Sequence, residues 1–171
     1  MPETNGLRRL ATLTAAICAA MIAYSHPGAA ASAPPQKEGE ASADIAALES
    51  FVRSVAPDFG GQPGHWILKR GEVEIAVVAD AVHDRMRVLA PVGDATKLAA
   101  ADLTTLLDAD FDRALDARYA TRQGVVWAVY VHPLSSLTKR EFESAVSQVV
   151  ALRKNFGTTF SSTSLVFAPP R

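Results

Sequence analysis

The start of the chain limits everything that can fold after it. Arg8 and Arg9 form a short basic opening, and an uncharged run extends from Leu10 to Tyr24. Pro27 then leads into Ala29, Ala30, Ala31, Ser32 and Ala33. Basic, apolar, then small is the order of a secretory signal peptide, and the apolar run is too short for a comfortable bilayer span. Residues 1–33 are therefore expected to be removed on export, leaving the mature chain in the periplasm or outside the cell. About 138 of the 171 residues remain, the size of one ordinary domain. A chain of that size buries most of its apolar surface without help from metals or disulfides. The only cysteine, Cys18, lies inside the apolar run and leaves with it, so the domain must hold together by packing alone. Ile17 stands where lipoprotein processing wants a small residue, which argues against a lipid anchor at Cys18. Arg8-Arg9 leaves Sec and twin-arginine export both open.

Charge narrows the partners. Losing Glu3, Arg8 and Arg9 takes the formal net charge from −1 to −2. No basic block is present, so the electrostatic footprint of a nucleic-acid binder is missing. No later apolar run is long enough for a membrane span.

Residues 34–43 are rich in Ala, Pro, Ser, Gln, Lys and Glu and have little to bury, which predicts a flexible leader. Asp44 then opens a helix whose Ile45, Leu48, Val52 and Val55 share a face, with Phe51 beside them. Pro57, Gly60, Gly61 and Pro63 end it. Strands are expected over residues 65–69 and 73–79, joined by a tight turn at Arg70-Gly71, and over 85–92, closed by Pro91 and Gly93. Residues 102–108 read as a short helix with Leu103, Leu106 and Leu107 as its apolar stripe and Phe111 just past its end. Two more strands, 115–121 and 125–132, flank Gln123-Gly124. Thr138-Lys139-Arg140-Glu141 is a capping box. Phe142, Ala145, Val146, Val149, Leu152 and Phe156 then recur at helical spacing up to Gly157. The tail, 158–171, contains Leu165-Val166-Phe167 and ends in Pro169-Pro170, which leaves open either a further edge strand or a loose segment. The order α-βββ-α-ββ-α predicts an α+β domain over 44–157, an antiparallel five-stranded sheet with its helices on one face.

At this point the chain resembles a known family. Asp84-Arg85-Met86-Arg87-Val88-Leu89-Ala90-Pro91-Val92 looks like the third strand of YbjN-like proteins, relatives of the type III secretion chaperones. Asp110-Phe111-Asp112 and Asp116-Ala117-Arg118-Tyr119 resemble that family's helix exit and fourth strand. The resemblance covers residues 44–157. It implies a non-enzymatic domain, often a homodimer, that holds an extended segment of a client protein. Secretion chaperones are cytoplasmic and acidic, whereas this chain reads as exported and nearly neutral, so the fold is expected to carry over further than the client.

The residues supply no catalytic constellation. His65, His83 and His132 lie far apart without a supporting cysteine, so no metal is expected, and a polar turn accounts for His83 beside Asp80 and Asp84. Ser135-Ser136 follows His132 and Pro133 without a nucleophile elbow and reads as the approach to the last helix. Asp108, Asp110, Asp112 and Asp116 lack the glycine and terminal glutamate of a calcium loop and read as solvated carboxylates at a helix exit. Arg85, Arg87, Asp116 and Arg118 are expected on one sheet face, as a ladder of surface ion pairs or as a polar binding surface. Trp66, Trp127, Tyr119 and Tyr130 fall on strands, two of which are apolar on both sides, so the second face needs cover from a dimer mate or a client. The candidate binding residues are thus Arg85, Arg87, Arg118, Tyr119, Trp127 and Tyr130, with no cofactor. Two other functions compete with the protein-binding one. The first is a small periplasmic hydrolase or ligand-binding enzyme using His132 with Asp116 or Ser135. The second is a structural cell-envelope protein.

Overall fold

The computed structural model describes residues 38–164; the expected signal peptide and the edge strand anticipated at 165–167 lie outside the described residues. In chain order the elements are α1 (Glu38–Val55), β1 (Gly60–Gln62), β2 (His65–Arg70), β3 (Val73–Asp80) and β4 (Arg85–Asp94). A 3-10 turn (Ala95–Lys97), α2 (Ala100–Asp112), β5 (Arg118–Arg122), β6 (Val125–His132) and α3 (Lys139–Asn155) complete the series. The sheet is antiparallel throughout, in the order β1-β2-β3-β4-β6-β5.

The class is the expected α+β, but the sheet has six strands rather than five. The extra strand, β1, is three residues of Gly and Gln that pair with the first half of β2. Gly61 has φ +115°, and a Cβ there would stand 2.2 Å from the His65 carbonyl oxygen. The glycine that reads as a helix breaker is thus what lets the chain fold back this tightly. The strands also do not lie in chain order. α2 carries the chain past the place next to β4, so β5 forms the edge and the hairpin brings β6 back between them. Both hairpins are present, but the first turns at Gly71-Glu72, because Arg70 still pairs with Val73 in the ladder. Gln123 and Gly124 have φ +50° and +76°, the left-handed pair that a two-residue turn between twisted strands needs.

α1 begins at Glu38 rather than Asp44. α3 starts as its capping box dictates. The Thr138 side chain accepts from Glu141 N at 3.3 Å, and the Glu141 carboxylate accepts from Thr138 N at 2.7 Å. Past α3 the chain turns at Gly157 and returns to the corner between α2 and β5. There Ser162 Oγ accepts from Leu115 N at 2.7 Å, and Phe160 meets Tyr119 edge-on at 6.1 Å.

Cross-strand register sorts the strand residues into two sets, because partners opposite each other point the same way. Trp66, Leu68, Ile75, Val77, Met86, Val88, Ala90, Tyr119, Val126, Ala128 and Tyr130 form the first set. These residues pack with Leu48 and Val52 of α1, Leu106 of α2, and Phe142, Ala145, Val146, Val149 and Leu152 of α3 in one buried cluster. All three helices therefore cover the same side of the sheet.

Candidate functional site

The other set of strand residues forms the second face. Its central row runs Ile67, Ala76, Leu89, Val129 and Arg118 across β2, β3, β4, β6 and β5. A parallel row places Val78, Arg87 and Val131 together, and another places Pro91, Trp127 and Ala120 together. None of these residues belongs to the helix-covered core. Among the described residues, no helix packs on this side. The sheet is therefore apolar on both faces through its middle, which explains why β6 reads as a continuous hydrophobic run and why the alternation that opens β3 at Val73, Glu74 and Ile75 gives way to apolar residues from Ala76 to Ala79. Trp127 is only 8% exposed, and its indole Nε1 has no hydrogen-bond acceptor among the described residues.

The six residues singled out in the sequence do not lie together. Arg85, Arg87, Arg118 and Trp127 are on the second face. Tyr119 and Tyr130 are on the first, inside the core. The Tyr119 hydroxyl donates to the Leu152 carbonyl of α3 at 2.9 Å, and Tyr130 stacks on His132 with ring centroids 6.2 Å apart. Period-two alternation places neighbours on opposite faces, so Arg118 and Tyr119 could not share one. Asp116 is not on the sheet either. It precedes β5, and its carboxylate accepts from the Gln148 amide at 3.1 Å.

The groups a hydrolase would need are each engaged elsewhere. His132 Nδ1 lies 2.7 Å from the Pro133 carbonyl oxygen, and its Nε2 lies 3.8 Å from the Glu141 carboxylate. The Ser135 hydroxyl donates to Asp84 at 2.9 Å, not to a histidine. His83 Nδ1 lies 2.8 Å from the Asp80 carboxylate, closing the β3–β4 turn. Among the described residues, no group of three or more His, Cys, Asp or Glu is placed to hold a metal ion.

A second exposed feature is on α2. The helix runs to Asp112, so Phe111 is part of it rather than past its end. Leu106 and Ala109 are its buried residues, whereas Leu103, Leu107 and Phe111 point outward, the last two 69% and 79% exposed. The expected stripe of Leu103, Leu106 and Leu107 is thus divided between two sides. Only Leu106 reaches the core, and Leu103, Leu107 and Phe111, at i, i+4 and i+8, make an apolar ridge on the outside. Leu115, just beyond, extends it.

The aspartates around this ridge are not all solvated. Both carboxylate oxygens of Asp110 accept from Tyr119 N at 3.0 Å, tying the last turn of α2 to β5. Burial pushes the Asp110 carboxyl up to about 6, against the opposing pull of the Tyr119 amide and the Arg118 guanidinium. A raised folded value favours the protonated form. Its contribution to stability is therefore full below the unfolded value of 3.8 and is lost as pH rises through about 6. Asp80, Asp84, Asp94 and Glu141 are shifted downward and act with the opposite sign, below their own unfolded values. Asp110→Asn keeps an acceptor for Tyr119 N and removes the charge. It is expected to be more stable than the natural protein at neutral pH and to lose that advantage by about pH 4. Thermal unfolding of both proteins across this range checks it, and a gap that stays constant with pH would count against the buried carboxylate.

No protein-family model and no curated protein matches this chain. Solved structures do. A chain of the HopA1–SchA chaperone–effector complex superposes with a TM-score of 0.53 at 12% identity, covering 71% of this chain and 98% of that one. Chains of the ExsC–ExsE complex and of the ExoT–SpcS complex from Pseudomonas aeruginosa give TM-scores of 0.49 and 0.44 at 15% and 16% identity. They cover 67% and 66% of this chain and 93% and 95% of theirs. At 12% identity the likeness to the first of these is one of fold: this α+β architecture is found in a chain of a chaperone–effector complex.

Proposed function

We propose that the chain is an exported, non-enzymatic protein-binding domain, chaperone-like and related to the YbjN-like proteins. It acts as a homodimer and holds a segment of a partner polypeptide against the second face of its sheet. The observation that carries this reading is the apolar row Ile67, Ala76, Leu89 and Val129, with Trp127 beside it, on a face against which no described helix packs. Ala76 and Trp127 are already buried and Ile67, Leu89 and Val129 half-buried, so covering the row adds only the remaining part of the about 1.5–3 kcal/mol that full burial of a large apolar side chain contributes. The fold shared with a chain of a chaperone–effector complex supports a protein partner rather than a small-molecule substrate. The engagement of His132, Ser135 and Asp116 with other groups weighs against the hydrolase reading. Export rests on the order of residues in 1–33. Recovery of the uncleaved chain from the cytosol by intact-mass analysis would remove it.

The dimer reading uses a different surface. The ridge of Leu103, Leu107, Phe111 and Leu115 is self-complementary when two copies of α2 cross at a two-fold axis, because the same patch then serves both sides. Sedimentation at about 50 μM is expected to give the mass of two chains. The double variant Leu107→Asp, Phe111→Asp is expected to sediment as one, since both side chains are exposed and their change leaves the core untouched. A natural protein that sediments as a monomer at this concentration sinks the dimer.

A further inference from the structure

We infer that Asp110 is an edge guard: its carboxylate occupies the outward amide of β5 and keeps the sheet from taking a further strand there. The inference goes beyond the protein-binding reading and does not rest on it. The two-residue turn at Gln123-Gly124 makes Arg122 and Val125 a hydrogen-bonded pair. Alternation then directs the backbone groups of Arg118, Ala120 and Arg122 toward β6, and those of Ala117, Tyr119 and Thr121 toward the open side. The bonds of the outward set agree with this assignment. Tyr119 N–H donates to both Asp110 oxygens at 3.0 Å, and Ala117 N–H donates to Gln148 Oε1 at 3.0 Å. The Ala117 carbonyl accepts from the Arg118 guanidinium at 3.1 Å. Side chains thus take the first half of the edge. Among the described residues, Thr121 is left as the one outward position of β5 with both backbone groups open. A strand that adds to an edge bonds to successive outward residues, and a single one is too short a template.

The opposite edge is closed by other means. β1 is three residues long, and Gly61 at φ +115° bends it out of the flat extended form. Past the end of β1, the uncovered part of β2 carries Lys69, whose backbone groups face outward because Arg70 and Val73 flank the other two-residue turn. Brevity, a kink and an edge lysine are recurrent ways of refusing a further strand. β5 is five residues long and pairs with β6 without a register shift, so neither brevity nor a kink protects it. The carboxylate does. Leu106 and Ala109 dock α2 against the rest of the domain and so bring Asp110, in its last turn, to the start of β5. An ionised carboxylate only accepts hydrogen bonds. The carbonyl oxygen of an incoming strand would have to displace two carboxylate oxygens from the Tyr119 N–H, and it would meet negative charge as it did so.

The test compares the full natural chain with Asp110→Ala and Asp110→Asn by sedimentation at neutral pH, from about 5 to 50 μM. Asp110→Ala frees the Tyr119 N–H, so the edge of one copy becomes a template for another. This variant is expected to sediment above the natural protein at the higher concentration and to return to its mass on dilution. Asp110→Asn keeps an acceptor and is expected to match the natural protein throughout. Thr121→Pro added to the alanine variant is expected to restore the natural mass, because it removes the next outward N–H and leaves the ladder to β6 intact. Circular dichroism verifies the fold of each variant. Equal masses for the alanine variant and the natural protein overturn the inference. Association that the asparagine variant shares, or that Thr121→Pro leaves unchanged, overturns it as well. Hydrogen exchange on the natural chain tests the same contact even where the alanine variant does not fold. The Tyr119 amide should exchange at least about ten-fold more slowly than the outward amide of Thr121. Equal rates would mean that the carboxylate does not hold the edge, and the guard is then refuted.

Discussion

Truncating Phe142 to alanine is expected to lower the free energy of unfolding by about 3–5 kcal/mol. Phe142 is fully buried at the first turn of α3, and its ring lies 6.4 Å from that of Phe51 in α1. α3 in turn packs on β4 and β6, so one side chain joins two helices to the middle of the sheet. The site cannot collapse readily around the loss. The strands beneath are fixed by cross-strand hydrogen bonds on both sides, and α3 is anchored by the Thr138–Glu141 box one turn away. A cavity is therefore expected to remain, adding its own cost to the lost transfer energy. Set against the 5–15 kcal/mol typical of a whole domain, roughly that much is a large share. Phe142→Leu should lose about 1–2 kcal/mol, because most of the volume is kept. Urea unfolding followed by circular dichroism measures both. A loss below about 1 kcal/mol for the alanine variant would mean that α3 is not the element pinning α1 to the sheet.

The parts of this fold that could be read in the sequence are those set by local chemistry. Gln123-Gly124 makes a two-residue hairpin wherever it occurs between alternating strands, and Thr138 with Glu141 starts a helix regardless of what lies beneath. The parts that could not be read depend on what each element faces. β1 has no alternation to detect in three residues, and Gly60 and Gly61 signal the end of a helix as readily as a turn back into a sheet. In α2 the apolar residues Leu103, Leu106, Leu107 and Phe111 spread over an arc of about 140° of the helix. Spacing alone does not say which side the sheet takes; the contact with β5 selects Leu106 and leaves the rest outside. For the candidate site, the alternation of Arg85 and Arg87 placed them correctly on one face, and the aromatic residues divided for the same reason. Trp127 falls on the face of Leu89 and Val129, while Tyr119 and Tyr130 fall on the face of Val88 and Ala128. The half-buried Asp110 was hidden because its partner is a backbone amide nine residues along, a group that leaves no mark in the sequence.

Replacing Gln148 with leucine is expected to destabilise the domain by about 2–5 kcal/mol, although it makes α3 more hydrophobic. Gln148 is 2% exposed and occupies the apolar side of α3, three residues after Ala145 and four before Leu152. A polar residue at the spacing of an apolar helix face marks a buried hydrogen-bond network. Its Oε1 accepts from the backbone N–H groups of Asp116 and Ala117 at 2.9 and 3.0 Å. Its Nε2 donates to the Asp116 carboxylate and to Ser144 Oγ, both at 3.1 Å. The chain from α2 into edge strand β5 is thereby held by one amide, and leucine leaves two backbone donors without an acceptor, at about 1–3 kcal/mol each. Gln148→Glu separates this account from a simple packing defect. The new carboxylate can accept from both N–H groups but faces the Asp116 carboxylate, so its own pKa is raised and the folded state favours its protonated form. Its deficit relative to the natural protein should therefore be largest at neutral pH and shrink as pH falls toward about 5, whereas the leucine variant's deficit should not change over that window. Thermal unfolding of the three proteins at both pH values decides it. Parallel behaviour of the two variants would mean that volume, and not the satisfied amides, is what Gln148 supplies.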